Sequence, residues 1–264
     1  MQTVYVGNTL INDVMLGSQR MDDVFTNNEL IIDWLVVAAG GSSGGDNAGG
    51  GGAGGLLSGS LLIPKASISY QVIVGNGRAS TDGLASVFST ISTIGGGRGG
   101  SNAQNGFGGG SGGGGGGFNN TQGVSNAGGA GTAGPPRQGF NGGNSATAPA
   151  GGGAMTPGGG GGAASAGGIN TAGSGVAWLD STTYAAGGSG LGNVAGSDNT
   201  GNGGSGGNSG VPSRAGGSGI VKIRYAGTGS KAIGGTITFS GGYTYHTFTS
   251  ASLTATSGTG SFIY

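Results

Sequence analysis

His246 is the single histidine of the 264-residue chain, and histidine is the side chain best suited to general acid–base work near neutral pH. It stands between Tyr245 and Thr247 in a strand-like stretch, a setting that assigns it a structural or solvent-facing role rather than catalysis. Asp22 and Asp23 are adjacent, so on a strand they point to opposite sides and cannot share a proton. Asp13, Asp23 and Asp46 are too scattered for a calcium loop, and no spaced Asp/Asn series ends in Glu. Gly-x-Gly-x-x-Gly recurs many times without a following helix, and Gly227-Thr-Gly-Ser-Lys231 lacks the Gly-Lys-Ser/Thr ending of a phosphate loop. The sequence therefore gives no catalytic, cofactor-binding or metal site, and the chain does not read as an enzyme.

What must position any functional surface is glycine. Seventy-three residues are glycine, concentrated between residues 95 and 219 in runs such as 112–117 and 158–162. Glycine has no side chain to bury and costs roughly 0.5–1 kcal/mol more than alanine to fix in place, so such a region is either slack or held through its backbone. A flexible linker is the ordinary reading of Gly/Ser-rich sequence. Against it stand Phe107, Phe118, Phe140, Met155, Trp178, Leu179, Tyr184, Leu191, Val194 and Val211. Charge is also sparse: between Asp82 and Arg214 only Arg98, Arg137, Asp180 and Asp198 carry any. Extended glycine helices of the polyproline II type are the alternative, with three residues per turn and amides pointing outward to pair with neighbours. Collagen is excluded, since glycine does not recur strictly every third residue and only six prolines are present.

Nine acidic and nine basic residues give no net charge, and no basic patch exists, which argues against nucleic-acid binding. No run of eighteen apolar residues is present, and the first nine residues lack the basic start and apolar centre of a signal peptide, so neither membrane insertion nor an export address is read. Without cysteine there are no disulfides or thiolate metal sites.

Composition shifts divide the chain into residues 1–29, 30–225 and 226–264. The first part carries a ten-residue repeat, Tyr5-Val-Gly-Asn-Thr-Leu-Ile-Asn-Asp-Val14 followed by Met15-Leu-Gly-Ser-Gln-Arg-Met-Asp-Asp-Val24. Gly-Asn and Gly-Ser between short apolar runs are hairpin signals, giving a meander of strands of about five residues each. So thin an arm does not bury a core alone, so Tyr5, Val6, Leu10, Ile11, Val14, Met15, Leu16, Met21 and Val24 are read as a docking surface for another protein or another copy. The alternative is that the arm is the first sheet of the main domain.

In the second part, Leu30-Ile-Ile-Asp-Trp-Leu-Val-Val-Ala-Ala39 reads as a buried strand. Leu61-Leu-Ile-Pro-Lys-Ala and Ile68-Ser-Tyr-Gln-Val-Ile-Val74 read as two more, broken at Pro64. Further strands are expected over residues 84–94 and 219–225, the latter with Lys222 and Arg224 facing water. The third part reads as a hairpin, Thr236-Ile-Thr-Phe-Ser-Gly-Gly-Tyr-Thr-Tyr, plus a returning strand, His246-Thr-Phe-Thr-Ser-Ala-Ser-Leu-Thr-Ala255.

Five stretches in order, Asp33-Trp-Leu-Val-Val-Ala-Ala-Gly-Gly, Tyr70-Gln-Val-Ile-Val-Gly-Asn-Gly, Ser86-Val-Phe-Ser-Thr-Ile-Ser-Thr-Ile-Gly-Gly-Gly, Ala177-Trp-Leu-Asp-Ser-Thr-Thr-Tyr and Gly217-Ser-Gly-Ile-Val-Lys-Ile-Arg-Tyr, resemble the landmarks of the glycine-rich domain of tailed phages. The resemblance covers residues 33–225. It implies an all-β fold with little or no α-helix, a small jelly-roll-like sandwich from which a packed polyglycine II bundle projects. It is also similar in principle, though not in sequence, to phage long-tail-fibre tips, where loops joining glycine helices touch the receptor. One departure is that the strand usually preceding Leu-Val-Val has its nearest match at His246, at the far end. That strand closes the sandwich in its own chain or, by exchange around a trimer, in a neighbour's.

Loops between glycine helices then form the surface available for recognition. Asn105, Phe107, Phe118, Asn119, Asn120, Gln138, Phe140 and Met155 are the candidate receptor contacts, amides for hydroxyls and rings for apolar patches. Trp178 and Tyr184 are assigned instead to packing. The functional expectation is a virion fibre or fibre-tip protein, homo-oligomeric, docked to other virion proteins through residues 1–29 and contacting a host glycan or outer-membrane protein, with no cofactor. A capsid decoration or spacer protein, and a secreted elastic or cement-like protein, are the alternatives.

Overall fold

The computed structural model describes residues 4–6, 9–11, 15–16, 19–20, 29–64, 67–119, 121–250 and 258–264. Val14, Met21, Val24 and Asn120 lie outside these. The arm forms two short antiparallel pairs, β1 (Val4–Val6) with β2 (Thr9–Ile11) and β3 (Met15–Leu16) with β4 (Gln19–Arg20). Each hairpin brackets its Gly-Asn or Gly-Ser dipeptide, so the repeat in sequence is a repeat in structure, with strands of two or three residues rather than five.

The body begins with β5 (Glu29–Val37), β6 (Leu56–Pro64), β7 (Ser69–Val74), β8 (Ser86–Phe88) and β9 (Ile91–Thr93). Short pairs follow within the glycine region: β10 (Phe118–Asn119) with β11 (Gly153–Ala154), and β12 (Val176–Ala177) with β13 (Thr183–Tyr184). It ends with β14 (Ile220–Ala226), β15 (Thr236–Ser240), β16 (Tyr243–Thr249) and β17 (Gly258–Ile263). Among the described residues there is no α-helix.

Two antiparallel sheets, β15-β16-β14-β5-β6 and β17-β7-β8-β9, form a β-sandwich. Their facing sides share one core: Ile32, Val36, Val221, Ile223 and Phe248 from the first meet Val72, Val74, Phe88 and Phe262 from the second. Alternation along β5 sends Leu30, Ile32 and Val36 into this core, while Leu35 and Val37 go to a second cluster on the outer face with Trp178, Tyr184 and Tyr245. Trp178 and Tyr184 are thus packing residues.

Three expectations are corrected. Residues 84–94 are not one strand but a tight β8-β9 hairpin, turned at Ser89 with φ of 56°. His246 sits in β16, the second strand of the hairpin itself, and the strand that returns to the opposite sheet is β17, pairing with β7 of the same chain. Lys222 and Arg224 do not face water, because the β12-β13 hairpin lies over them. Lys222 is ion-paired with Asp180, and Arg224 Nε bonds Asp33 at 3.0 Å while its guanidinium stacks 4.1 Å from the Tyr243 ring centre.

From the end of the sandwich the chain makes repeated excursions of extended glycine-rich backbone. Along residues 48–55 the amide partners rotate with a period of three. Residues 48, 51 and 54 donate to 207, 204 and 201; residues 49, 52 and 55 donate to 100, 97 and 94; residues 50 and 53 donate to 158 and 161. Residues 111–117 repeat the pattern, with 111, 114 and 117 on 53, 50 and 47, 112 and 115 on 140 and 143, and 113 and 116 on 107 and 104. Three residues per turn with each row serving a different neighbour is the signature of packed polyglycine II helices. The backbone bonds that a conventional core would bury beneath side chains here hold the slab together directly.

Candidate functional site

The helices turn at two ends. At the sandwich end, Gly55 donates to Ile94, Leu56 to Gln138, and Ala163 to Ala185. At the other, loops around residues 46, 102, 118, 126, 155 and 210 are bonded to one another. Residues 38–46 rise about 25 Å between the two ends at 3.1 Å per residue.

Asp46 and Asn47 open this far end, both left-handed with φ of 54° and 45°, a conformation that Asp and Asn tolerate better than most residues. The Asp46 carboxylate accepts from the Gly210 N–H at 2.7 Å and from Asn102 Nδ2 at 2.8 Å, and Asn47 Nδ2 donates to Asn102 Oδ1 at 3.0 Å. The Gly210 amide foremost, then Asn102 and Ser209, hold the Asp46 carboxyl below the usual carboxylate range. Asn126, buried, shares the two hydrogens of its Nδ2 among the carbonyls of Gly116 at 2.7 Å, Phe118 at 2.8 Å and Asn102 at 3.1 Å. Five loops, around residues 46, 102, 118, 126 and 210, are thereby fixed into one polar surface. None of Asp46, Asn47, Asn102 and Asn126 is among the individual receptor contacts singled out from the sequence. The signal for them was present as Asp and Asn within two residues of a glycine run.

The candidates divide between the two ends. Phe118 and Met155 lie at the far end, where Met155 N–H bonds the Gly117 carbonyl at 2.7 Å and Phe118 pairs with Ala154. Asn119 lies beside Phe118 in β10. Asn105 and Phe107 follow the 101–104 turn; Asn105 Oδ1 accepts from the Ala127 N–H at 2.8 Å and the Phe107 ring lies 4.0 Å from the Arg98 guanidinium. Gln138 and Phe140 belong to the sandwich end. Gln138 Oε1 accepts from the Ile94 N–H at 2.8 Å, and Phe140 stacks under Arg137 at 4.4 Å. The loop end therefore gathers Phe118, Asn119 and Met155 with Asp46, Asn47 and Asn102, and excludes Gln138 and Phe140.

Two open depressions of about 240 Å³ each mark the surface. One is lined by Asp33, Ser58, Gly59, Ser60, Trp178 and Leu179 on the outer sheet face, the other by Ser43, Gly45, Ser80, Arg98, Ser101 and Ser213 on the slab flank. Asp33 is already held by Ser60 Oγ at 2.7 Å and by Arg224, which leaves no free base in the first.

His246 is buried and has a structural role. Its Nδ1–H donates to the Gly234 carbonyl at 2.7 Å, so Nε2 is the acceptor for the Tyr225 hydroxyl at 3.1 Å, and Tyr225 accepts from the Lys231 N–H at 2.9 Å. Burial pushes the imidazole pKa down, and the bond to Gly234 only partly restores it. A neutral ring with both nitrogens committed links the 227–235 loop to the core. Among the described residues no three of His, Cys, Asp and Glu come together as a metal-binding group.

A family model described as a glycine-rich domain matches residues 23–226, ending on the last residue of β14. Comparison with curated proteins and with solved structures finds no match.

Proposed function

The chain belongs to the glycine-rich domain family, and on that premise we propose that it is a structural protein of a tailed-phage particle, a fibre or fibre-tip component that presents its loop end to the host. The observation that carries this reading is the separation of roles along one axis: a sandwich at one end, a stiff slab, and a loop surface about 25 Å away whose polar groups are fixed by bonds between loops. Pre-ordered polar loops with Phe118 and Met155 among them suit recognition of a glycan or an outer-membrane protein, since little ordering entropy remains to be lost on binding. Residues 1–29 serve as the attachment to other virion proteins, and the assembled form is a homo-oligomer, with a trimer favoured.

The same stiffness supports a second reading, a capsid decoration or spacer without receptor binding. Electron microscopy of particles labelled with antibody to the chain, together with competition of infection by purified protein, separates the two. Label at fibre ends and blocked infection, lost on combining Phe118→Ala with Met155→Ala, is the expected result. Label spread over the capsid with no competition overturns the attachment role, and absence from particles overturns the virion assignment altogether.

A further inference from the structure

Residues 111–117 have carbonyl partners on every side, whereas residues 127–132 form a glycine helix at the rim of the slab. One of its rows reaches backbone: Gly129 N–H to Gly113 O at 2.7 Å and, three residues on, Thr132 N–H to Gly110 O at 3.0 Å. The 128 and 131 amides of a second row, and the Ala127 amide of the third, end on side chains. Gly128 N–H donates to Asn144 Oδ1 at 3.0 Å, Gly131 N–H to Asn141 Oδ1 at 2.9 Å, and Ala127 N–H to Asn105 Oδ1 at 2.8 Å. Asn141 and Asn144 are three residues apart, one turn of such a helix, and they meet amides that are also three apart, in antiparallel register. Asn105, Asn141 and Asn144 are all exposed.

We propose that Asn105, Asn141 and Asn144 close this rim of the slab against a second copy of the chain, each holding an amide oxygen where a carbonyl of an added glycine helix would bond. Without those side chains, rim amides at three-residue spacing would be the polyglycine counterpart of an open sheet edge, a template for further backbone pairing. The occupant it fits is another slab of the same sequence, whose helices carry carbonyls at the same repeat. With no net charge and few charged residues in this region, copies have little electrostatic repulsion to keep them apart. The side-chain oxygens satisfy the amides and stop the lattice from growing.

The test compares the full-length parent with the combined Asn105→Ala, Asn141→Ala and Asn144→Ala variant by sedimentation velocity over a wide concentration range. A control carries alanine at the exposed Gln122 and Thr147. The triple variant is expected to keep its circular dichroism and to associate beyond the parent's own state as concentration rises, while the control matches the parent. A folded triple variant with the parent's distribution overturns the proposal. Should the triple variant fail to fold, Asn144→Ala alone decides: the Gly128 amide is expected to exchange roughly tenfold faster in dilute solution and to regain protection on concentration. Exchange that ignores concentration overturns the proposal equally.

Discussion

The Cα of Gly51 faces the carbonyl of Gly41 so closely that a Cβ built there would lie 2.1 Å from its oxygen, while Gly51 N–H donates to the Gly204 carbonyl at 2.8 Å. No side chain has to yield; the obstacle is the backbone of a neighbouring helix. Gly51→Ala must therefore push two helices apart and is expected to destabilise by about 3 kcal/mol or prevent folding. Gly229, with open space around its Cα and no positive φ, is the contrast: Gly229→Ala should be neutral or slightly stabilising. Denaturant unfolding of the two variants checks this, and equal effects would remove the packed-helix explanation.

Amide exchange reads the lattice directly. Residues 48–55 and 111–117 donate every amide to a backbone carbonyl of another segment, so opening any of them requires the slab to part. These amides should exchange at least about a thousandfold more slowly than in a short free peptide, with protection as high at glycines as at Ala53. Exchange across residues 108–162 at free-peptide rates would mean a slack tether instead.

The strands that form the sandwich were largely legible because their apolar residues alternate or run together: β5, β7, β14 and the β15-β16 hairpin lie where the pattern put them. β17 was not. Its Gly258-Thr-Gly-Ser-Phe-Ile sequence offers only Phe262 and Ile263 as apolar residues, yet Phe262 is fully buried, edge-on to His246 at 5.0 Å between ring centres. Lys222 and Arg224 alternate with buried residues as solvent-facing charges do, and nothing local reveals that β12-β13 lies over them from about forty residues earlier. The loop candidates were sorted by composition alone, which could not tell Asn105, whose oxygen caps the rim amide of Ala127, and Gln138, whose oxygen caps the Ile94 amide at the sandwich end, from Asp46 and Asn102, which tie loops together. Which end of a glycine helix a residue occupies depends on counting turns through the whole lattice.

His246 gives the fold a pH dependence with a definite sign. Burial lowers its pKa in the folded chain, so as pH falls below about 6.5 the unfolded chain takes up a proton that the folded chain refuses. Stability should be level with respect to this group above that pH and fall below it, by up to about 1.4 kcal/mol per pH unit until the folded pKa is reached. Tyr225 and Gly234, the polar neighbours of the ring, leave it no compensating negative charge. His246→Gln should lower stability overall but flatten the profile between about pH 5 and 7. Denaturant midpoints across that range decide the matter; an unchanged slope in the variant places the titration elsewhere.

Lys222 and Asp180 pose a question of energetics rather than titration. Their side chains are 15% and 13% exposed, beneath Trp178 and beside Tyr184 and Tyr245. Burial alone raises the Asp180 carboxyl, but Lys222, the Thr182 N–H and the Tyr184 hydroxyl together hold it below its ordinary value. Burial, and then the bond to Asp180, in turn keep the Tyr184 phenol protonated well beyond its usual range. Asp180→Asn would strand a mostly buried ammonium and is expected to cost about 2–3 kcal/mol. Replacing both partners, Asp180→Leu with Lys222→Met, removes the charge along with its counter-charge and places apolar groups against Leu35 and Val37, so it should cost far less than the two single changes added. A double-mutant cycle by denaturant unfolding measures the difference. A coupling below about 0.5 kcal/mol would show that the β12-β13 hairpin is held down by Trp178 and Tyr184 packing and by the Arg224 bond to the Leu179 carbonyl, with the Lys222–Asp180 pair incidental to it.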